Sequence, residues 1–401
     1  MKEKLVFIVL VISMFSSNSI VFAENDIESQ VLHNLFTYDN SDIKSLFSPE
    51  FLEQVPINTM IEYVDFYKNN LGNFKKVNKE KDNYTALFEK GFVKIKVALN
   101  SDSKIIGLYF TDYSLNDDNF ENIISEFKKL EGSVSISIIK NNKEVVFGYN
   151  ENTPMAVGSA FKLYVLNAVY DNVESGKISW DDIVLINNNN KSFPSGILQD
   201  WKDGTPVTLK TLTNLMISIS DNTATDHLID FLGRKNIEKY VSKINKPFLK
   251  TNEAFKIKDA NVFSKQKEYI NGNILQKRNL LKSLDSIDTN KVQLPSSPNL
   301  INEVEWFFTT NELCKKIYSL RNSDELRINP GLVAKENWYI AGYKGGSEPG
   351  VLNFTHLLQK NKDSNIYAIS VTVNNTEKNL DTSKVVDLTK RLISLIEKES
   401  L

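Results

Sequence analysis

Apolar positions recur at helical spacing through Ile27, Val31, Leu32, Leu35 and Phe36, which predicts an opening helix with one buried face. Similar spacing predicts a short helix from Ile43 to Leu52 and a longer one from Thr59 to Leu71. The period then falls to two. Phe92, Lys94, Lys96 and Ala98 alternate with Val93, Ile95, Val97 and Leu99, the pattern of a half-buried strand, with neighbouring strands at Tyr84 to Phe88 and Ile105 to Phe110. After the polar stretch Asp112 to Asp118 the pattern restarts with a helix, Asn119 to Leu130. A hairpin follows, Val134 to Ile139 and Glu144 to Tyr149, turning at Asn141-Asn142. The segment 161–170 is apolar nearly all round, so the helix opening at Ser159 and stopping near Gly176 should be central and buried. Another mostly apolar helix covers Leu209 to Ile219. The last third returns to strands, Trp338 to Tyr343, Asn353 to Leu358 and Ile366 to Val373. It closes on an amphipathic helix, Thr382 to Glu399. Two early strands, a helical middle, three late strands and a final helix predict an α+β fold: an antiparallel sheet with helices on both faces and an all-helical subdomain, preceded by a small α+β domain.

The first residues read as processing rather than fold. Lys2 and Lys4 precede an apolar core from Leu5 to Phe15, and Val21-Phe22-Ala23 supplies a cleavage site. The core is shorter than the ~18 residues expected of a spanning segment. The expectation is a signal peptide at 1–23, a small domain at 24–115 and a larger one at 116–401, in a secreted or periplasmic protein with no membrane span after cleavage. A formal net charge of −2 carries no nucleic-acid footprint. The single cysteine, Cys314, rules out an internal disulfide and a cysteine-built metal site, and reads as a small buried hydrophobe. No cofactor or metal is expected.

Ser-x-x-Lys occurs six times, starting at Ser41, Ser101, Ser125, Ser137, Ser159 and Ser264. Residues three apart on a helix share a face, so the hydroxyl and amine of such a pair can exchange a proton. Only Ser159–Lys162 opens a long apolar helix and is followed in order by two further groups. Ser220-Asp221-Asn222 ends the helix Leu209 to Ile219, and Lys344-Gly345-Gly346 closes a late strand. A serine needs a base before it can attack a carbonyl. The three histidines lie outside these groups, which leaves Lys162, provided that burial and the second cation Lys344 lower its pKa.

Taken together, the three groups resemble the signature of the class A β-lactamases and the wider penicillin-recognising serine hydrolases, over about residues 120–401. Gly158, Ser195-Gly196-Ile197-Leu198 and Thr223-Ala224 agree with it. The resemblance implies an acyl-enzyme on Ser159, with Lys162 as base and Ser220 relaying a proton. Asn222, Gly345 and Gly346 would line the substrate, and Asp221 would turn inward to fix its loop. The amides of Ser159 and Ser347 would form the oxyanion hole. The small domain, helices followed by an antiparallel meander, resembles the cone-shaped nuclear-transport-factor-2-like domains in architecture.

Two departures accompany the resemblance. The family's loop glutamate, in a Glu-x-x-Leu-Asn pattern, is missing at its place. Glu325 to Asn329 resembles the pattern but comes too late in the chain, and Glu253 has the better spacing without the motif. Gly345 also stands where a hydroxyl residue is usual, a loss for which Ser347 could compensate. Glu303, Glu305 and Trp306 are expected to be exposed acids flanking a core tryptophan. The expected partner is a small molecule: a β-lactam opened by hydrolysis, a D-alanyl cell-wall peptide or an ester handled by the same chemistry, or a β-lactam that acylates a penicillin-binding or cell-wall-sensing protein and stays.

Overall fold

The computed structural model describes residues 26–80 and 83–399; the expected signal peptide lies outside the described residues. The chain divides after Asn119 into two compact units.

The first unit holds helices α1 (Ile27–Thr37), α2 (Pro49–Gln54) and α3 (Ile57–Leu71). They are followed by strands β1 (Phe74–Glu80), β2 (Asn83–Phe88), β3 (Gly91–Leu99) and β4 (Ile105–Leu115), which form one antiparallel sheet in chain order. The helix expected over 43–52 is broken in two. A 3-10 turn covers Ile43–Leu46, and Pro49, which cannot sit inside a helix, starts α2 behind the Ser48 cap. Strand β1 does not show in the apolar pattern, because its lysines resemble solvated loop. It is an edge strand, where exposed lysines suit the free side.

The second unit begins with α4 (Phe120–Phe127), the hairpin β5 (Ser133–Lys140) and β6 (Glu144–Tyr149), and the short β7 (Met155–Ala156). After a 3-10 turn at Gly158–Phe161 comes α5 (Lys162–Glu174). The short pair β8 (Ile183–Leu185) and β9 (Pro206–Thr208) leads into the helical middle: α6 (Leu209–Ser218), α7 (Asn222–Leu232), α8 (Arg234–Ile237), α9 (Thr251–Lys258), α10 (Gln266–Asn271) and α11 (Ile274–Lys282). The chain then passes through β10 (Phe307–Phe308) and α12 (Thr310–Ser319). It ends in β11 (Ile340–Glu348), β12 (Val351–Gln359), β13 (Ile366–Asn374) and α13 (Thr382–Glu399). The five long strands form one antiparallel sheet, ordered β11-β12-β13-β5-β6.

One face of that sheet packs on α4 and α13 through Ile123, Phe127, Leu388 and Leu392. The other core joins α5 to the helical middle, and Leu163, Val165, Leu166 and Val169 on α5 are all fully buried there. Each such side chain contributes roughly 1.5–3 kcal/mol of burial, so α5 is held from all sides. Cys314 on α12 is part of this core, its thiol against the carbonyls of Ser137 and Ala368.

Strand β11 runs further than its apolar pattern implied and carries Lys344, Gly345, Gly346 and Ser347 inside the ladder, Lys344 opposite Thr355 and Ser347 opposite Leu352. Polar residues on an edge strand carry no alternation signal, which hid this extension.

Candidate active site

The 3-10 turn Gly158–Phe161 feeds straight into α5, so Ser159 lies one turn before the helix and Lys162 is its first residue. Around the turn the packing is tight. Val157 N donates to Trp306 O at 3.1 Å, and the Phe161 ring stacks on Trp306 at 3.9 Å between centroids. Strand β11 lies edge-on against the same turn. A Cβ at Gly346 would overlap Val157 O and the Ser159 amide nitrogen, and one at Gly158 would sit 3.1 Å from the Ser347 amide nitrogen. Only glycine permits this approach, and it makes neighbours of the amides of Ser159 and Ser347, placed beside the positive end of α5.

Lys162 is fully buried. Its amine donates to Ser220 O at 2.6 Å, Ser220 Oγ at 3.1 Å and Asn222 Oδ1 at 2.7 Å. None of these acceptors is a carboxylate. Burial therefore lowers its pKa from 10.5 to about 7, and Asp221 and Asp226 pull only weakly the other way. Lys344, also buried, donates to Ser220 Oγ at 3.0 Å and to Gly345 O at 2.7 Å. Burial and the neighbouring Lys162 hold its pKa well below the usual lysine range. Two amines thus converge on one hydroxyl. Ser220 has φ +58°, a left-handed backbone that costs a serine about 1–3 kcal/mol. The cost is met by the cap on the next residue: Asp221 Oδ1 accepts from Ala224 N, while its Oδ2 accepts from Ile197 N and Leu198 N. As expected, Asp221 faces inward and fixes the loop. Asn222 Nδ2 donates to Phe193 O at 2.8 Å, tying the 192–197 loop to α7.

Lys162, Ser220, Asn222 and Lys344, far apart in sequence, therefore meet through α5, the α6–α7 corner and β11, and Ser159 lies on the turn against Gly346. Lys162 bonds to Ser220 and Asn222 rather than to Ser159 among the described residues.

Glu253 stands apart from this group. Its carboxylate accepts two bonds from Arg234, at 2.6 and 2.9 Å, and one from Lys250 N at 2.8 Å. With both oxygens held, it caps α9 and anchors α8. The other acids nearby are equally committed. Asp226, whose pKa burial raises to about 6, accepts from Thr251 N and Asn252 N at the start of α9. Glu325 is buried between Tyr170 and Lys210. Glu305, expected at the surface, is buried against Lys258 at 2.6 Å, because Trp306 beside it is drawn into the core. Glu348 also pairs with Lys258. No motif announces this cluster, because Lys258, Glu305 and Glu348 share no sequence spacing. At Gly345 a Cβ would overlap the Tyr343 hydroxyl, so the phenol occupies the room a side chain there would need.

Residues 117–294 match the model of the β-lactamase enzyme family. A curated β-lactamase of Bacteroides uniformis is 33% identical over 108 residues, 24% of this chain and 34% of that protein, so the match spans about a third of that relative's length. A solved β-lactamase from Sphaerobacter thermophilus shares the fold with a TM-score of 0.50 and 19% identity, covering 71% of this chain and 98% of that one. A β-lactamase from Francisella tularensis has a TM-score of 0.48 at 16% identity, covering 70% of this chain and 99% of that one. The sheet, the helical middle and the family match define the second unit as β-lactamase-like. The likeness to the β-lactamase enzyme family lies in residues 117–294, and the second unit shares the β-lactamase fold.

Proposed function

We propose that this protein is an exported hydrolase that opens β-lactams through an acyl-enzyme on Ser159. The observation that carries this reading is the fully buried Lys162, surrounded by neutral acceptors and carrying a pKa near 7. A neutral amine one helical turn from a serine can take its proton as the hydroxyl attacks the ring carbonyl. The amides of Ser159 and Ser347 receive the developing oxyanion, an arrangement worth ~10²–10³ in rate for each donor. Ser220, held by both lysines, passes the proton on to the departing ring nitrogen. Asn222 and the Gly345-Gly346 edge bind the substrate. Export rests on the basic start, apolar core and Ala23 cleavage site of the sequence. The first unit, three helices and a four-stranded antiparallel sheet, suits a nuclear-transport-factor-2-like domain.

A second reading shares the acylation step and differs in the fate of the acyl group. Glu253 is bound by Arg234 and the other nearby acids cap helices or pair with lysines, which favours a protein that acylates and releases its acyl group slowly. A chromogenic cephalosporin, followed for turnover and for covalent mass on the mature protein, separates the two. Repeated turnover that disappears in Ser159→Ala supports hydrolysis; a stable adduct without turnover supports slow release. An unchanged rate in Ser159→Ala overturns both.

A further inference from the structure

Strand β11 presents alternate residues to one side, so Lys344, Gly346 and Glu348 share a face, about 6.5–7 Å from one to the next. Lys344 reaches Ser220 Oγ, and Gly346 abuts Val157 O and the Ser159 amide nitrogen. Glu348, at the end of the same row, accepts from the amine of Lys258. Lys258 also donates to Glu305 at 2.6 Å. It is the last residue of α9, and its carbonyl accepts from Gln266 Nε2 at 3.1 Å and from Asn299 Nδ2 at 3.0 Å, so the cation stands on a fixed helix end. Glu305 precedes Trp306, whose carbonyl accepts from Val157 N and whose ring stacks on Phe161. Val157 and Phe161 bracket Ser159. The contacts close a ring, which runs from the Ser159 turn through Trp306, Glu305, Lys258 and Glu348 to Ser347, and back to the turn through Gly346.

We propose that Lys258, Glu305 and Glu348 form a clamp that holds the Ser347 amide in register with the Ser159 amide, with Glu348 as the positioning residue. The inference rests on the acyl-enzyme reading above. Three observations carry it. Ser347 is the direct neighbour of Glu348, on an edge strand laddered to β12 on one side, so the Glu348 side chain ties that strand end to the helical middle. The cluster reaches both sides of the oxyanion hole, Ser347 through Glu348 and the Ser159 turn through Glu305 and Trp306. Its polar groups also satisfy one another. Burial and Glu305 raise the Glu348 pKa well above the usual carboxylate range, and a neutral Glu348 can donate to Glu305 while it accepts from Lys258. A misplacement of about 1 Å at a reacting centre can cost ~10²-fold in rate, which is what such a clamp prevents.

The test uses the full mature chain and a penicillin. It reads the second-order rate of covalent mass gain and, by difference infrared spectroscopy, the ester carbonyl stretch of the adduct. Amides aimed at the carbonyl oxygen lower that frequency, so the band reports the hole itself. Glu348→Ala should slow acylation at least ~10-fold and move the band to higher frequency. Glu348→Gln, which keeps a donor for Glu305 and an acceptor for Lys258, should restore both. Unfolding midpoints are measured alongside; where Glu348→Ala does not fold, Glu348→Asp, one carbon shorter and out of reach of Lys258, is read in the same way. A folded Ala or Asp variant with an unaltered rate, or with a slower rate and an unmoved band, overturns the clamp alone. So does a Glu348→Gln variant as impaired as Glu348→Ala. Absence of mass gain in the unaltered chain, with Ser159→Ala as the baseline, overturns the acyl-enzyme reading and this inference with it.

Discussion

Two lysines of the second unit are buried almost equally, and the protein treats them in opposite ways. Lys162 is fully buried and meets a carbonyl, a hydroxyl and an amide oxygen. Lys258, with 1% of its side chain exposed, meets the carboxylates of Glu305 and Glu348. Burial pushes both pKa values down. At Lys162 the pull of Asp221 and Asp226 does not offset burial, and the value falls to about 7. At Lys258 the two carboxylates outweigh burial, and its pKa rises above the ordinary 10.5. Burial alone therefore makes neither a base nor a structural cation; the partners decide which. Lys258 ties the end of β11, through Glu348, to the segment before β10, through Glu305. Both segments lean on the Gly158–Phe161 turn.

The comparison breaks most visibly in rate. Lys162→Met should lower the acylation rate by ~10²–10⁴ and remove the rise in rate through about pH 7, measured by covalent mass gain across a pH series. A pH profile for acylation that survives Lys162→Met removes Lys162 as the base.

Stability separates the pair next. Lys258→Met leaves the buried Glu305–Glu348 pair, in which burial and Glu305 already hold the Glu348 pKa well above the usual carboxylate range, without its cation and should cost about 3–5 kcal/mol, read from denaturant unfolding. Lys162→Met removes an amine that is costly to charge where it lies, so it should leave stability unchanged or higher below pH 7.

The pH dependence of stability should then carry opposite signs. The folded pKa of Lys162 lies below its unfolded value. Between about pH 7 and 10.5 the unfolded chain holds the proton that the folded chain has lost, and this group's contribution grows with pH. The folded pKa of Lys258 lies above its unfolded value, so its contribution is complete below 10.5 and is lost as pH rises through the folded value. Subtracting the curve of each Met variant from that of the unaltered chain isolates the two slopes; slopes of the same sign defeat the distinction.

The smallest expected effect is at Glu253. Glu253→Gln keeps the α9 cap and loses the charge facing Arg234, so it should cost about 1–3 kcal/mol and change deacylation less than ~2-fold. A collapse of deacylation in this variant would restore Glu253 as a base.

Much of this architecture was legible in residue order. The all-round apolar run of α5, the β5–β6 hairpin and the amphipathic α13 follow from periodicity, because each buries a face that its own spacing defines. The lysine-rich edge strand β1 and the polar end of β11 did not, since an edge leaves one side free and weakens the alternation. The break at Pro49 was written in the sequence, although apolar spacing runs on across it.

The sequence by itself singled out one serine as the candidate nucleophile. Among six Ser-x-x-Lys pairs, only Ser159–Lys162 opens a buried helix and is followed in order by Ser220-Asp221-Asn222 and Lys344-Gly345-Gly346. Only the tertiary structure decided what the charged groups around it do. Glu253 could have been free, and Arg234 took it; Glu305 could have been exposed, and Lys258 buried it. The physical reason is that a side chain's proton affinity depends on water lost and partners gained within a few ångströms, and those partners arrive from elements dozens to hundreds of residues away.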